Sequence, residues 1–158
     1  MHLALYQPQV PPNTGNIGRL CVGMRAHLHI IGPCAFDFSD KALRRAGLDY
    51  WPHLQWTLYE SPERFLDWLG AREPWLVTKF GTLRFDQPRY VEDDVIMLGN
   101  EVRGLPDECH QRWPARGVHI PILGEIRAYN LANAAAMVLS QARLACGAFA
   151  DYTPPAKP

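Results

Sequence analysis

Leu98-Gly99-Asn100-Glu101-Val102-Arg103-Gly104-Leu105-Pro106 is the most informative stretch of this chain, and it follows an apolar run over residues 95–98. Such a run is typical of a buried strand. The two glycines then bracket a polar loop, and Pro106 is placed to open a short helix. The stretch therefore predicts a strand that ends in a loop beside a helix, which is where open α/β folds place small-molecule sites.

A second transition of this kind begins at Ile120-Pro121-Ile122 and leads to Asn130-Leu131-Ala132-Asn133-Ala134. Pro121 cannot donate to a sheet ladder, so it marks a strand end. A long Ala-rich helix is predicted from residue 130 to residue 146. Asparagine caps helices well, but one helix needs only one N-cap, so capping explains only one of Asn130 and Asn133. The two transitions together predict a cofactor pocket.

An earlier motif, Asn13-Thr14-Gly15-Asn16-Ile17-Gly18-Arg19, follows the first predicted strand and opens a helix that runs to about residue 24. Its glycines let the backbone approach a neighbour, and the amides of a helix N-terminus suit an anion. An ordinary proline-rich turn with Asn13 as the helix cap explains the motif equally well on local grounds. Arg19 is a candidate for holding a phosphate or polarising a hydroxyl.

Glu101 has two possible roles within the loop. Its carboxylate could accept from a ligand hydroxyl, or it could hold the loop by capping the amides that follow it. Taken by itself, the loop-holding role is the favoured one.

The pattern along the chain predicts an α/β fold, with a mainly parallel sheet and helices on both faces. The predicted strands cover residues 3–6, 27–31, 55–59, 75–78, 95–98 and 118–122, and the predicted helices cover 13–24, 40–46, 62–69 and 130–146. Residues 1–150 are predicted to form a single domain. Residues 151–158 are polar and rich in proline, and we predict a disordered tail.

The net charge is zero, with 16 basic and 16 acidic residues, so any nucleic-acid partner must meet a local basic patch. The best candidate is the run that contains Lys41, Arg44 and Arg45, supported by Arg19. A solvated helix face is the simpler explanation of that run and the favoured one when the run is taken alone.

No apolar run approaches the length of a membrane span, and the N-terminus lacks the basic region of a signal peptide, so a cytoplasmic protein is expected. Cys21, Cys34, Cys109 and Cys146 are scattered without metal-type spacing, and they are expected to be free thiols. The histidines are dispersed along the chain as well. We therefore expect no metal site and no membrane partner.

In chain order, the first motif covers residues 13–19, the second covers residues 98–106, and the third runs from Ile120 to Ala134. In this order, and together with Leu43-Arg44-Arg45-Ala46-Gly47-Leu48-Asp49-Tyr50, they closely resemble the SPOUT class of RNA methyltransferases. The resemblance is closest to the small tRNA (cytidine/uridine-34-2′-O)-methyltransferases and extends to about Gly147. It implies a C-terminal deep trefoil knot, a topology that general fold rules make improbable. It also implies a homodimer whose substrate is a tRNA anticodon stem-loop.

The same resemblance implies S-adenosylmethionine as the cofactor and S-adenosylhomocysteine as the product. Arg19, Asn13 and Asn130 would be catalytic, and Arg19, Lys41, Arg44 and Arg45 would bind RNA. The cofactor would be held by Thr78, Leu98, Gly99, Glu101, Gly104, Ile120, Ile122, Tyr129 and Leu131. The chain departs from the family pattern at Ala128 and Ala132, where serine is common, and at Tyr129, where methionine or leucine is usual.

The sequence leaves three functions open. The first is 2′-O-methylation of the tRNA wobble nucleotide. The second is methylation of another RNA site by an enzyme of the same class. The third is a non-catalytic module that binds RNA or the cofactor, which the alanines at 128 and 132 would suit because they lack the hydroxyls of the usual serines.

Overall fold

The computed structural model describes residues 1–37 and 49–155. Within these ranges the chain forms seven strands, four α-helices and one short 3₁₀ helix at Trp51–His53. The strands are β1 His2–Tyr6, β2 His27–Ile31, β3 Trp56–Tyr59, β4 Trp75–Val77, β5 Leu83–Arg84, β6 Val95–Leu98 and β7 Gly117–His119. The α-helices are α1 Pro11–Gly23, α2 Pro62–Leu69, α3 Asp107–Arg112 and α4 Leu131–Ala145.

The seven strands form one sheet in the order β3-β2-β1-β6-β4-β7-β5, and every described pair of neighbours is parallel. Side chains alternate between the two faces of a strand, so β1 contributes side chains to two hydrophobic cores, one on each face of the sheet. Leu3 and Leu5 pack with Ile17 of α1 and Val138 of α4, whereas Ala4 packs with Phe65 of α2. The predicted α/β class with a parallel sheet and helices on both faces is confirmed.

Helix α1 begins two residues earlier than predicted. Pro11 and Pro12 occupy its first two positions, and Val10 is the N-cap residue without a side-chain cap. Proline is tolerated there because the first amides of a helix have no intrahelical acceptor. The prediction that Asn13 caps this helix is therefore wrong, and its side chain is free for another partner.

The strand predictions are correct to within a residue except near the end of the sheet. Strand β5 was not predicted, because it has two residues and pairs only with β7. Strand β7 spans Gly117–His119 and not residues 118–122, since Ile120 and the proline after it leave the sheet. The predicted helix over residues 40–46 lies outside the described residues, and so do Lys41, Arg44 and Arg45.

Helix α4 begins as predicted. The Oδ1 atom of Asn130 accepts from the amides of Ala132 at 2.9 Å and Asn133 at 3.4 Å, so Asn130 is the N-cap. The four cysteines are free thiols, as predicted. Burial raises the pKa of Cys21 to about 12, so this thiol is unreactive at neutral pH. No helix in the described part of the chain is long and apolar enough to cross a bilayer.

Three histidines that are dispersed in sequence meet on one face of β1 and β2. His2 and His27 are register partners, and the ring of His29 stacks on that of His27 at 4.4 Å. The Nδ1 atom of His2 lies 3.0 Å from Nε2 of His29, and His29 Nδ1 lies 2.9 Å from the Tyr59 hydroxyl. Burial, helped by the neighbouring His27, His2 and Arg72, lowers the pKa of His29 to about 3.

This pKa predicts a loss of stability in mild acid. In the unfolded chain the pKa of His29 is about 6.5, so below this pH the unfolded chain binds a proton that folded His29 does not bind. The free energy of unfolding therefore falls as the pH falls toward 3. The pKa values of His2 and His27 are also lowered by burial and act in the same direction. His29→Gln should flatten this dependence between pH 7 and pH 4.5 in urea unfolding experiments. The exposed His53→Gln is the control, and equal slopes for both variants would contradict the prediction.

Candidate active site

The carboxyl ends of three neighbouring strands form one edge of the molecule. Val77 of β4 is in register with Leu98 of β6 and Val118 of β7. The loops that start at Thr78, Gly99 and Ile120 therefore leave the sheet side by side. The Thr78 amide donates to the Val118 carbonyl at 2.9 Å, which ties the first loop to β7. The structure thus brings together the three segments that were predicted from sequence to bind a cofactor.

The Gly99–Gly104 loop folds back on its own strand. The amide of Asn100 donates to the Gly104 carbonyl at 3.2 Å, and the Gly104 amide donates back at 3.0 Å. Gly104 has a φ of +75°, which favours glycine. At Gly99, a Cβ atom would lie 2.0 Å from the carbonyl carbon of Gly104, so no side chain fits. The loop depends on both glycines.

The Asn100 side chain caps the amides of this loop, which is the role that was predicted for Glu101. Its Oδ1 atom accepts from the amides of Val102 at 3.1 Å and Arg103 at 2.7 Å. A shorter asparagine side chain reaches the amides two and three residues ahead, as in an Asx turn. The prediction that Glu101 caps the amides that follow it is therefore wrong.

Glu101 instead holds the start of α1. Its carboxylate accepts from the Gln9 amide at 2.9 Å, the Val10 amide at 3.2 Å and Nδ2 of Asn13 at 2.9 Å. The first turn of α1 contains no acidic residue of its own. A carboxylate at this position satisfies free amides and complements the positive end of the helix dipole. Glu101 thereby fixes the first motif against the loop after β6.

Asn13 is also hydrogen-bonded to Asn130 of the third motif. Its Oδ1 atom accepts from Nδ2 of Asn130 at 2.9 Å, while Oδ1 of Asn130 caps α4. Because Glu101 can only accept, the orientation of both amides is determined: each donates toward Glu101 and accepts on its other side. The chain Glu101–Asn13–Asn130, which we call the relay, therefore joins all three motifs in one arrangement. Asn13, the central residue of the relay, is 8% exposed, whereas Glu101 is half-buried and Asn130 is exposed.

The loop after β7 contributes apolar surface to the same edge. Ile120, Ile122 and Leu131 are half-buried, and Leu131 packs against the core. The Tyr129 hydroxyl donates to the Pro121 carbonyl at 3.1 Å and closes the loop. A flat apolar ligand with polar edges would find both apolar side chains and free backbone here.

Arg19 lies apart from the relay on the exposed side of α1. Its side chain is 66% exposed, and it stands six residues after Asn13, about 9 Å along the helix axis. Its Nη2 atom donates to Oδ1 of Asp49 at 3.3 Å, and its guanidinium lies 4.7 Å from the centre of the Tyr50 ring. The predicted catalytic residues therefore divide into Asn13 and Asn130 in the relay and Arg19 outside it.

Two residues at this site belong to the segment that carries the family resemblance, but the sequence assigned neither of them a role in the site. Asp49 and Tyr50 contact Arg19 from a segment about 30 residues away, and only the presence of a tyrosine after the basic run could have hinted at it. Within the described residues, no group of three or more histidine, cysteine or acidic side chains could hold a metal ion.

The hydrogen bonds of the relay predict that replacing Glu101 destabilises the protein. Glu101→Gln places an amide group against at least one of the three donors, so it should lower the free energy of unfolding by about 1–3 kcal/mol. Urea unfolding measures this change. Glu108→Gln on the exposed side of α3 is the matched control and should change stability by less than about 0.5 kcal/mol. Equal stability of the two variants would show that the relay does not hold α1.

The geometry defines an α/β protein in which three neighbouring loops meet at the carboxyl edge of a parallel sheet. Residues 1–140 match the model of the SpoU rRNA Methylase family. The chain is 38% identical over 143 residues to the tRNA (cytidine(34)-2'-O)-methyltransferase of Escherichia coli (strain K12), with 90% of this chain and 91% of that relative covered. The chain therefore belongs to the SpoU rRNA methylase family, and the resemblance inferred from the motifs is confirmed.

Solved structures agree with this placement. A structure described as "Structural insights into the 2-OH methylation of C/U34 on tRNA" superposes with a TM-score of 0.82 at 37% identity, covering 89% of this chain and 92% of that one. The SpoU methyltransferase AviRb from Streptomyces viridochromogenes, in complex with AdoMet, gives a TM-score of 0.73 at 24% identity. That match covers 90% of this chain and 58% of that one, and at this distance it shows the fold alone.

Proposed function

We propose that this protein is an S-adenosylmethionine-dependent methyltransferase that modifies the ribose 2′-hydroxyl of the wobble nucleotide, cytidine or uridine 34, of tRNA. The observation that carries the proposal is the relay, because it joins the motif of Arg19 to two of the three predicted cofactor loops, those after β6 and β7. The names of the similar proteins support the choice of substrate. A tRNA substrate also implies a cytoplasmic enzyme.

The residues at the carboxyl edge fit the proposed cofactor. Gly99 leaves no room for a side chain beside Gly104, so the loop offers backbone rather than side chains to a ligand. Ile120, Ile122 and Leu131 supply half-buried apolar surface for an adenine ring. We assign the cofactor contacts to Thr78, Leu98, Gly99, Gly104, Ile120, Ile122, Tyr129 and Leu131. The carboxylate of Glu101 already has three donors within the chain, so its proposed cofactor contact is secondary to its hold on α1.

A trefoil knot at this edge is part of the proposal. Strand β7 lies between β4 and β5, which precede it in the sequence. The short connection between those two strands runs against β7, since a Cβ atom on Gly81 would lie 2.4 Å from the carbonyl carbon of Val118. A late strand enclosed by an earlier loop is what a knotted chain requires.

We also propose that the enzyme works as a homodimer. Arg19 points into solvent and contacts neither Asn13 nor Asn130. A second copy of the chain would let Arg19 of one subunit face the cofactor loops of the other. Sedimentation analysis checks this, and a purely monomeric active enzyme would contradict it.

In the proposed reaction the bound cofactor would supply the methyl group and leave as S-adenosylhomocysteine, while the ribose hydroxyl would release its proton to water. Arg19 does not act as the base, because a guanidinium keeps its proton in proteins. It stabilises negative charge on the reacting oxygen or holds an adjacent phosphate. The relay keeps α1 and the loop after β7 in fixed positions, so that the hydroxyl is aligned with the methyl group.

The experiment that tests the function is incubation of the protein with unmodified tRNA and methyl-labelled S-adenosylmethionine, followed by mapping of the labelled nucleoside. A 2′-O-methylated nucleotide at position 34 is the expected product. A label at another nucleotide would assign the enzyme to a different RNA site. Absence of turnover, with the cofactor bound, would favour a non-catalytic module. An isolated anticodon stem-loop in the same assay tests whether that element suffices as substrate.

A further inference from the structure

Gly18 of the first motif makes room for the segment that begins at Asp49. A Cβ atom on Gly18 would lie 3.1 Å from the Trp51 ring, 3.2 Å from the Leu54 side chain and 3.4 Å from the Tyr50 ring. Gly18 therefore lets this segment pack closely on α1. This contact gives the second glycine of the motif a packing role, in place of the anion site that the sequence suggested.

Tyr50 contacts both ends of the helical turn that carries Arg19. Its hydroxyl donates to the Gly15 carbonyl, and the face of its ring lies 4.7 Å from the Arg19 guanidinium. Gly15 stands four residues before Arg19, so in an α-helix its carbonyl is also the acceptor for the Arg19 amide. Tyr50 thus fixes the backbone of this turn and supports the end of its side chain.

The chemistry of the phenol suits support rather than proton transfer. Tyr50 is half-buried, and this burial raises the pKa of its phenol, although the nearby Arg19 opposes the shift. The hydroxyl therefore stays protonated at neutral pH and remains a donor to Gly15. The electron-rich ring face attracts the guanidinium without neutralising it, so Arg19 keeps its donors for an RNA oxygen.

We propose that Tyr50 is a positioning residue that holds the Arg19 guanidinium in the orientation needed for methyl transfer. This rests on the proposed function of Arg19. Asp49 contacts the same guanidinium at 3.3 Å, but both charged side chains are largely exposed, so the aromatic contact is the more persistent support.

The first test compares Tyr50→Leu with Tyr50→Phe in the tRNA methylation assay. Tyr50→Leu removes the ring face and should lower kcat about tenfold with an unchanged KM for S-adenosylmethionine. Tyr50→Phe keeps the ring and should retain kcat within about threefold. Tyr152→Leu, at an exposed tyrosine near the end of the described chain, is the control. Equal kcat values for the leucine and phenylalanine variants would overturn the proposal.

A second variant covers the case in which Tyr50→Leu does not fold. Pentafluorophenylalanine at position 50 keeps the shape of phenylalanine but reverses the charge distribution of the ring face. It should lower kcat about fivefold below Tyr50→Phe because the attraction for the guanidinium is lost. If the two rings give the same kcat, packing alone explains the contact and the proposal fails.

A readout that does not depend on activity separates this proposal from the proposed function. Phenylglyoxal modifies accessible arginines, and peptide mass analysis gives the rate at Arg19. The rate at Arg19 should rise about threefold when the ring face is lost, while the rate at Arg64 on α2 stays the same. An unchanged rate at Arg19 overturns the positioning role, whether or not tRNA is methylated. Conversely, suppose that the wild-type protein is inactive on tRNA and that Tyr50→Leu still raises the modification rate at Arg19. That result would overturn only the proposed function.

Discussion

Arg19→Ala should reduce methyl transfer to tRNA by about two to three orders of magnitude, the usual loss when one donor to a developing oxyanion is removed. The affinity for S-adenosylmethionine should change by less than about twofold, because Arg19 lies outside the relay and the three cofactor loops. Single-turnover methylation and cofactor binding by calorimetry measure the two quantities separately.

The control for this variant is Arg64→Ala. Arg64 is exposed on α2, which packs against the opposite face of the sheet from α1, so the same charge is removed far from the site. Arg64→Ala should methylate tRNA at the wild-type rate. If Arg19→Ala retains the wild-type rate as well, Arg19 has no catalytic role.

Gly99→Ala should disable the cofactor site and destabilise the fold. Its Cβ atom would lie 2.0 Å from the carbonyl carbon of Gly104 and 2.1 Å from the amide nitrogen of Leu105, and both are backbone atoms that cannot rotate away. We expect the free energy of unfolding to fall by about 3 kcal/mol, as in other cases of overpacking. The loop must shift, so the affinity for S-adenosylmethionine should fall at least about tenfold. Urea unfolding and calorimetry provide the measurements.

Gly23→Ala is the matched control for this substitution. Gly23 is the last residue of α1, and a Cβ atom there meets no other atom within 4 Å. Alanine favours a helix over glycine by up to about 1 kcal/mol, so this variant should be slightly more stable than the wild type. A Gly99→Ala variant as stable as Gly23→Ala would mean that the loop after β6 is not closely packed.

The parts of the fold that depend on local patterns could be predicted from the sequence. The apolar runs of β2 and β6, the proline that opens α2 and the asparagine that caps α4 each express a preference of neighbouring residues. The convergence of the loops after β4, β6 and β7 followed from the resemblance to a family, together with the general position of sites in parallel sheets.

The relay could not be predicted, because its partners are far apart in the sequence. Asn13 lies 88 residues from Glu101 and 117 residues from Asn130, and no spacing rule connects them. Asn13 was interpreted as a helix cap because asparagine has that local preference, whereas Pro11 and Pro12 start the helix earlier. The partners of Arg19 were missed for the same reason. Strand β5 was missed because a strand of two residues is too short to show an alternation of apolar and polar side chains.

Strand β7 lies between β4 and β5, which both precede it in the sequence, and this arrangement has a consequence for biosynthesis. A nascent chain that has emerged only to residue 116 holds β4 and β5 but lacks the strand that joins β5 to the sheet. Asn130, which completes the connection to α1, emerges later still. If the proposed cofactor loops hold the methyl donor, we expect chains that end before residue 117 not to bind it. Retention on an immobilised cofactor analogue would consequently select full-length molecules from a mixture of translation products.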